Sequence, residues 1–268
     1  MRSELKKAKR IVIKVGTSTL TYENGKINFA RMEGLARRVA DLINKGKQVI
    51  LVSSGAVGVG MGKLNLTSKP IDITEKQAIA AVGQCELMHI YSKLFSEYGV
   101  IVGQILLTRT ITNNKVTKKN AVNTFNNLLE KHILPIVNEN DTIATDELVS
   151  NDKFSFGDND MLSAIVSSIT NTDLLVLMSD IDGFYDGDPK KNKDAKVIKI
   201  VDKIESDLLS YVGASSSKMG TGGMLAKIEA AKLANSNNID VVIANGNDMN
   251  NILKITQGED VGTWFKKG

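Results

Sequence analysis

The stretch Ile11-Val-Ile-Lys-Val-Gly-Thr-Ser-Thr19 decides the fold class of this 268-residue chain, and a stretch of the same kind, Val49-Ile-Leu-Val-Ser-Ser-Gly55, follows it. In each, a short continuous apolar run leads directly into glycine and small polar residues. Continuous apolar runs are typical of parallel strands that are covered on both faces of a sheet. Four further apolar runs recur along the chain, and most of them are continuous: Val100–Leu107, Ile133–Val137, Leu174–Met178 and Val241–Ala244.

Segments with helical periodicity separate these runs. The apolar residues between positions 28 and 46 form one stripe at helical spacing, and Gly46 is a natural end for that helix. Thr74-Glu-Lys-Gln77 matches a capping box and predicts another helix that continues towards Tyr98. This alternation predicts an α/β layered fold with a mostly parallel sheet. Because no repeat or low-complexity linker divides the chain, we expect a single domain over residues 1–268.

Composition excludes several classes of protein. Lys and Arg total 34 and Asp and Glu total 30, and a net charge of +4 does not predict nucleic-acid binding. The single Cys85 excludes an internal disulfide and a Cys-rich zinc site, and two histidines make a histidine metal site improbable. No window approaches the roughly 20 apolar residues of a membrane span, and the N-terminus does not resemble a signal peptide. We therefore expect a cytoplasmic protein that binds neither nucleic acid nor a membrane.

Polar or glycine-rich loops follow five of the apolar runs. They are Gly16–Thr19, Ser53–Gly62, Asn138–Asp141, Ser179–Gly183 and Asn245–Asp248. A single loop of this composition is usually only a turn. In open α/β sheets, however, ligands bind beyond the carboxyl ends of the strands. Five such loops at the same end of successive strands therefore predict that they converge on one binding crevice.

The glycine-rich segment Gly55–Lys63 matches neither of the common nucleotide-binding motifs. A GxxxxGK[ST] loop needs glycine where Val57 stands, and a GxGxxG fingerprint needs glycine where Lys63 stands. The segment can still bring backbone N–H groups close to an anion, or it can serve only close helix–sheet packing. Ser54, just before it, is a candidate hydrogen-bonding side chain at the end of a strand.

Two lysines are candidates for contacts with phosphate. Lys14 interrupts the first apolar run just before Gly16, where it either points at an anion or snorkels to a strand edge. Lys227 follows Gly220-Thr-Gly-Gly223 at the start of a predicted helix that extends to Asn235. A helix N-terminus favours anions, but an ordinary surface helix would leave this lysine solvated.

Two acidic segments have alternative interpretations. Asp158-Asn-Asp160 precedes a helical segment, so it either caps that helix or binds a small polar ligand. Asp180 and Asp182 lie in a loop that lacks the EF-hand pattern, because Phe184 occupies a ligand position. The sequence therefore does not predict a calcium site there.

Eight segments in order resemble the glutamate 5-kinases of the amino acid kinase family. They are Lys14-Val-Gly-Thr-Ser18, Ser53-Ser-Gly-Ala56, Ala80-Ala-Val-Gly-Gln84, Gln104-Ile-Leu-Leu-Thr108, Pro135-Ile-Val-Asn-Glu-Asn-Asp141, Phe156-Gly-Asp-Asn-Asp160, Asp182–Pro189 and Gly220–Lys227. The resemblance extends from about Arg10 to Phe265. The Asp182–Pro189 element is shared across amino acid kinases, whereas Ser-Ser-Gly-Ala, Asn-Glu-Asn-Asp and Gly-Thr-Gly-Gly-Met together are more selective for this group.

The resemblance implies a three-layer αβα sandwich and ATP-dependent phosphorylation of the L-glutamate γ-carboxylate to L-glutamyl 5-phosphate, the first step of proline biosynthesis. It further implies Mg²⁺, feedback inhibition by proline and a homo-oligomer. The N-terminal part is expected to bind glutamate, and roughly residues 170–268 are expected to bind the nucleotide. Many relatives carry a C-terminal PUA domain, which a chain ending at Gly268 is expected to lack.

Carried onto this chain residue by residue, the resemblance implies three catalytic residues. Lys14 and Lys227 contact the transferring phosphates, and Asp160 holds both lysines in place. Glutamate is bound by Ser54, Asp141 and Asn159, with Asp141 a candidate partner of the α-ammonium group. The implied nucleotide-binding residues are Lys14, Ser179, Asp180, Thr221, Gly222, Gly223, Met224, Leu225, Ala226 and Lys227. No direct metal ligand is assigned.

Two rival functions remain open. One is a related kinase that acts on aspartate, acetylglutamate or a small phosphate-bearing acceptor, although the segments Asn138–Asp141 and Gly157–Asp160 argue against it. The other is a catalytically silent amino-acid sensor with the same fold. Retention of both Lys14 and Lys227 argues against a sensor.

Overall fold

The structure is a computed structural model that describes residues 2–22, 26–68, 70–143, 159–189, 191–205 and 221–268. Within these ranges the strands are β1 (Arg10–Val15), β2 (Gln48–Ser53), β3 (Val102–Leu107), β4 (Leu134–Glu139), β5 (Leu174–Ser179), β6 (Ile200–Val201), β7 (Asp240–Asn245) and β8 (Thr263–Phe265). They form one sheet in the order β3-β4-β2-β1-β5-β7-β8-β6.

The sheet is mostly parallel, as the continuous apolar runs predict. Every neighbouring pair is parallel except β7 and β8, which are antiparallel. Strand β1 lies at the centre, because Lys14 pairs with Val52 of β2 on one side and with Leu177 of β5 on the other. The carboxyl end of β1, the first strand in the chain, therefore lies in the middle of the sheet.

The helices are α1 (Thr17–Leu20), α2 (Phe29–Asn44), α3 (Ala56–Lys63), α4 (Ile73–Ser96), α5 (Lys115–Glu130), α6 (Asn159–Ile169), α7 (Thr221–Ser236) and α8 (Asn250–Thr256). Short 3₁₀ segments occupy Ser3–Lys7 and Arg109–Thr112. The helices expected over 28–46 and towards Tyr98 correspond to α2 and α4.

The start of α4 differs from the sequence prediction. The helix begins at Ile73, so Thr74 is already inside it and does not act as the N-cap. Asp72 is the cap instead, and its carboxylate accepts a hydrogen bond from the backbone N–H of Glu75 at 3.2 Å. Aspartate caps a helix at least as well as threonine, and this one stands two residues earlier in the chain.

Two hydrophobic layers flank the sheet, which confirms the αβα sandwich. Successive side chains of a strand point to opposite faces, so Ile11 and Ile13 pack with α2, α4 and α8, while Val12 packs with α5, α6 and α7. Lys14 shares the face of Val12 by the same alternation. Its side chain therefore points towards the layer that contains α6 and α7.

Helices α3 and α4 are in backbone contact because each has a glycine at their crossing. A Cβ atom on Gly83 would lie 1.8 Å from the carbonyl oxygen of Ala56, and one on Gly60 would lie 2.1 Å from that of Ile79. Glycine is required at both positions, since any side chain would push the helices apart. This crossing holds the N-terminus of α3 at the carboxyl end of β2.

A search of the described helices found none that is both long enough and apolar enough to cross a membrane.

Candidate active site

A cavity of about 450 Å³ lies at the carboxyl ends of β1, β2, β4 and β5. Its walls contain residues of segments 14–18, 54–58, 138–141 and 178–180, together with Asn159 and Lys227. Four of the five predicted loops thus converge on one crevice. The fifth, Asn245–Asp248, does not line it: Asn245 Nδ2 donates to Asp182 Oδ1 at 2.7 Å, and Asp248 Oδ1 accepts from the backbone N–H of Asn250 at 2.9 Å.

One carboxylate holds both candidate lysines. Lys14 Nζ lies 2.7 Å from Asp160 Oδ1, and Lys227 Nζ lies 3.0 Å from Asp160 Oδ2. Asp160 is completely buried, and the two lysines are 4% and 8% exposed. Lys14 therefore does not snorkel to a strand edge, and Lys227 is not a solvated surface lysine. Two positive charges share one negative charge at the cavity wall, which leaves this cluster positive.

Three separate elements supply this cluster. Lys14 comes from the central strand, Asp160 from the first turn of α6 and Lys227 from the second turn of α7. Lys227 Nζ also lies 3.3 Å from the backbone oxygen of Gly223, which it can reach because the two residues are four apart on a helix. Residues that are 146 and 67 positions apart in sequence are thus brought to one point by the order of the strands.

A network of neutral polar groups faces the cavity from the β2 and β4 side. Asn159 Nδ2 donates to Ser54 Oγ at 2.8 Å and to Asn138 Oδ1 at 3.0 Å. The backbone N–H of Ser54 donates to the carbonyl of Val15 at 3.0 Å, which ties the end of β2 to the central strand. Gly55 then turns the chain into α3 with a φ of 104°, a left-handed conformation that favours glycine.

Two acidic residues, Glu139 and Asp141, line this side of the cavity, and Asp141 is the one expected to bind glutamate. Burial raises its pKa from the usual 3.8 to about 6, and the nearby negative charge of Glu139 adds to the effect. Burial makes the negative charge of this carboxylate unfavourable in the free protein, and a bound cation would stabilise that charge. Asp141 is therefore suited to an ammonium group.

The predicted nucleotide-binding residues have different environments. Ser179 and Asp180 line the cavity at the end of β5, and Ser179 Oγ donates to Asp180 Oδ1 at 3.1 Å. No atom of the described residues would lie within 4 Å of a Cβ atom on Gly223, so that part of the chain leaves the first turn of α7 open there. Met224 and Leu225 pack partly against the core, so a ligand would meet their backbone rather than their side chains.

The remaining nucleotide-binding candidates are only partly described. The backbone of Thr221 and Gly222 opens helix α7, and Ala226 is half-buried in its second turn. The side chain of Thr221 and all of Gly157 and Asp158 lie outside the described residues.

The donor set was tested for Mg²⁺. Among the described residues, no three His, Cys, Asp or Glu side chains are grouped so as to hold a metal ion. Mg²⁺ in kinases is commonly held by substrate phosphates, waters and only one or two carboxylates. Asp180, exposed at the cavity wall, suits that role. The site fits an ion that arrives with the nucleotide rather than one that the protein alone encloses.

Sequence reasoning assigned no role to three residues of the site. Asn138 and Thr17 both line the cavity, and Gln84 lies behind Asn138 and accepts a hydrogen bond from it at 2.8 Å. Each belongs to a segment that carries the family resemblance. That membership was the available signal, but it does not state which side chain faces the cavity.

Known proteins with similar sequences identify the family of this chain. The sequence model of the amino acid kinase family matches residues 9–245. The chain belongs to the amino acid kinase family. Glutamate 5-kinase from Clostridium perfringens is 56% identical over 270 residues, with 100% of both chains covered. Glutamate 5-kinase from Listeria innocua is 52% identical and covers 99% of this chain and 95% of its own.

Solved structures of other kinases share the fold. UMP kinase from Bacillus anthracis superposes with a TM-score of 0.63 at 18% identity, covering 97% of this chain and 96% of its own. Isopentenyl phosphate kinase from T. acidophilum, solved as a product complex, gives a TM-score of 0.63 at 16% identity, with coverage of 96% and 100%. At such identity these likenesses confirm the amino acid kinase fold and do not identify the substrate.

Proposed function

We propose that the chain transfers the γ-phosphoryl group of ATP to the γ-carboxylate of L-glutamate, giving L-glutamyl 5-phosphate and ADP. Whole-length identity of 56% and 52% to glutamate 5-kinases supports this activity, which is the first step of proline biosynthesis. The structural observation that carries the mechanism is the pair of buried lysines on the single carboxylate of Asp160.

The reaction brings two anions together. An oxygen of the γ-carboxylate attacks the γ-phosphorus of ATP while the bond from that phosphorus to the bridging oxygen of ADP breaks. A glutamate side chain with a pKa near 4.3 is already ionised at neutral pH, so no residue has to act as a general base. Catalysis then depends on in-line positioning and on positive charge around the transferring group.

Lys14 and Lys227 supply that positive charge from the protein. Asp160 touches neither substrate in this assignment and acts by fixing both ammonium groups at the cavity wall. The pair is held before substrates bind, so little reorganisation is needed during the reaction. Mg²⁺, held by phosphate oxygens with Asp180 in reach, would neutralise further phosphate charge.

The two substrates occupy different parts of the crevice in this proposal. Ser54, Asp141 and Asn159 bind glutamate, with the carboxylate of Asp141 attracting the α-ammonium group. Ser179, Asp180 and the open first turns of α7, residues Thr221–Ala226, bind the nucleotide. Residues roughly 170–268 therefore form the nucleotide half of one continuous sheet. We also propose that proline is a feedback inhibitor and that the protein is a homo-oligomer. Inhibition assays test the first proposal and sedimentation tests the second.

Purified protein with ATP, Mg²⁺, L-glutamate and hydroxylamine is expected to form γ-glutamyl hydroxamate, because hydroxylamine traps an acyl phosphate. Colour development with ferric ion measures the product. Hydroxamate formed with aspartate but not with glutamate would show that aspartate is the acceptor. ADP released with acetylglutamate but not with glutamate would show that acetylglutamate is the acceptor. Folded protein that shows no ATP turnover with any of these acceptors would support the silent sensor.

The pH dependence of glutamate use is expected to report on Asp141. Only the ionised carboxylate attracts an ammonium group, and its pKa is about 6. The KM for glutamate should therefore rise as the pH falls below about 6, whereas the KM for ATP should not follow it. In Asp141→Asn the KM for glutamate should be high at neutral pH and nearly independent of pH. Initial rates between about pH 5 and about pH 8 measure this.

The raised pKa of Asp141 also predicts that its ionised carboxylate, which favours glutamate binding, lowers the stability of the fold. Between about pH 4 and about pH 6 the folded chain keeps the proton of Asp141 while the unfolded chain has released it, so stability falls as the pH rises. Asp141→Asn is therefore expected to melt at a higher temperature than the parent protein at pH 7 and at a similar one near pH 4. Asp202→Asn, at a carboxylate 77% exposed, is the control. A parallel gain in that variant would contradict the assignment.

A further inference from the structure

The segment Ala80-Ala-Val-Gly-Gln84 carries the family resemblance but has no role in the chemistry described so far. Its Gly83 lets α3 cross α4 in backbone contact. The next residue, Gln84, is half-buried behind the cavity wall and is not one of the residues that line the cavity. Its Oε1 accepts a hydrogen bond from Asn138 Nδ2 at 2.8 Å.

A backbone group sets the direction of this hydrogen bond. The N–H of Glu139 donates to Asn138 Oδ1 at 2.9 Å. A backbone N–H is only a donor, so the oxygen of the Asn138 amide must face it and the NH₂ group must face the other way. The NH₂ group then needs an acceptor, which Gln84 provides. The two contacts together hold the Asn138 amide in one orientation.

The orientation of the Asn138 amide influences the orientation of Asn159, which lines the cavity. Asn138 Oδ1 also accepts from Asn159 Nδ2 at 3.0 Å, and Asn159 Nδ2 donates to Ser54 Oγ at 2.8 Å. Asn159 therefore turns its NH₂ group into the network. Its buried Oδ1 has no hydrogen-bond partner among the described residues and remains an acceptor. Ser54 Oγ accepts from Asn159, so its own proton stays available for donation.

Within the described part of the chain, the network thus leaves one acceptor on Asn159 and one donor on Ser54 for a ligand. These are the complements of an ammonium group and a carboxylate. Rotation of the Asn138 amide by 180° would place an NH₂ group against the N–H of Glu139 and against Asn159. Asn159 would then either face that NH₂ group unpaired or rotate, giving up the contact of its own NH₂ group with the Ser53 carbonyl at 3.4 Å. Rotation would present a donor where an ammonium group needs an acceptor.

We propose that Gln84 is a positioning residue that sets the donor–acceptor polarity of the amino-acid half of the cavity without touching the ligand. This rests on the proposed function, in which Ser54 and Asn159 bind glutamate. Gln84 acts from helix α4, on the opposite side of Asn138 from the substrate. The Ala80–Gln84 segment then has two roles: Gly83 lets α3 pack in backbone contact with α4, and Gln84 orients the Asn138 amide.

The test compares two variants that keep the size of the side chain. Gln84→Leu removes the acceptor, so the KM for glutamate is expected to rise roughly three- to tenfold, the value of one neutral hydrogen bond, with the KM for ATP within about twofold of the parent. Gln84→Glu retains an acceptor oxygen for Asn138 Nδ2, so its KM for glutamate should stay within about twofold of the parent. Melting temperatures are measured alongside, and Gln84→Met replaces Gln84→Leu if the latter does not fold.

Equal loss of affinity for both substrates, an unchanged KM for glutamate in Gln84→Leu, or failure of a folded Gln84→Glu to restore that KM would overturn the proposal. The variant Asn159→Ala distinguishes a failure of the role proposed for Gln84 from a failure of the glutamate-binding assignment. A raised KM for glutamate in Asn159→Ala with no effect of Gln84→Leu would refute only the role of Gln84. No effect of either variant would refute the glutamate-binding assignment itself, and with it this inference.

Discussion

Lys227→Ala is expected to lower kcat for phosphoryl transfer by roughly 10²- to 10³-fold, the range seen when one charge-stabilising group is removed from an active site. The lysine is buried beside the cavity, and its ammonium group is held by Asp160 at 3.0 Å. Alanine removes a positive charge that the transferring phosphoryl group needs most in the transition state. The KM for glutamate should change much less, because Ser54, Asp141 and Asn159 are untouched.

Lys232→Ala is the matched control for Lys227→Ala. Lys232 lies on the same helix, is exposed, and is outside the cavity wall. It should keep the parent kcat. Hydroxamate formation at saturating ATP and glutamate measures both variants. A Lys227→Ala enzyme with parental turnover would disprove the phosphate role of this lysine while leaving the substrate assignment intact.

Lys14→Met is expected to cause a loss of similar size, since Lys14 occupies the other oxygen of the same carboxylate at 2.7 Å. The two losses should not add in the double variant. Both lysines are held by one buried carboxylate and act on the same phosphoryl group, and neighbours that share a partner are coupled. A double variant with a loss equal to the product of the single losses would indicate that the lysines act independently.

Gly83→Ala is expected to lower the melting temperature strongly and to reduce activity. Glycine to alanine within a helix ordinarily stabilises by roughly 0.5–1 kcal/mol. Here the added Cβ would lie 1.8 Å from the carbonyl oxygen of Ala56 and 2.4 Å from the backbone nitrogen of Gly60. Backbone atoms cannot rotate away as a side-chain end can, so α3 and α4 must separate. Overpacking of this kind costs about 1–3 kcal/mol or more.

Gly34→Ala provides the contrast, because Gly34 is also inside a helix but has room. Its added Cβ would lie 3.4 Å from the side chain of Met249, an ordinary contact. Thermal unfolding of both variants should therefore give shifts of opposite sign, or a near-zero shift for Gly34→Ala. Equal melting temperatures for Gly83→Ala and the parent would show that the α3–α4 crossing can relax, and would remove the packing argument for Gly83.

Much of the fold is predictable from local patterns. The apolar runs become strands β1 to β5 and β7, and the amphipathic stripe between positions 28 and 46 becomes α2. These predictions hold because strand and helix periodicity depend on residues only a few positions apart. The cap of α4 is less predictable: Thr74 and Asp72 are both good caps, and the difference between them depends on where the preceding loop delivers the chain.

The candidate site is only partly predictable for a different reason. The loops after β1, β2, β4 and β5 converge as expected, but the loop Asn245–Asp248, which has the same composition, does not line the cavity. Composition marks a loop as polar and does not report its distance from the crevice. Strand order does not explain the difference, because β4 and β7 both lie two places from β1. The β7 loop is engaged with its own neighbours instead: Asn245 Nδ2 donates to Asp182 Oδ1, and the carbonyl of Asn245 accepts from Asn251 Nδ2.

Local sequence patterns suffice to predict the parallel α/β architecture, the end of the sheet at which four polar loops form a cavity, and the family to which the chain belongs, because short periodic patterns and motifs carry that information. Only the tertiary structure decided that Lys14 and Lys227 share Asp160, that Gln84 lies behind Asn138, and that Gly83 meets the backbone of α3. These contacts join residues tens to hundreds of positions apart. The shared carboxylate depends on how α6 and α7 pack against the central strand β1, and the other two contacts depend on how α4 packs beside β4 and α3. No local stretch of sequence encodes this packing.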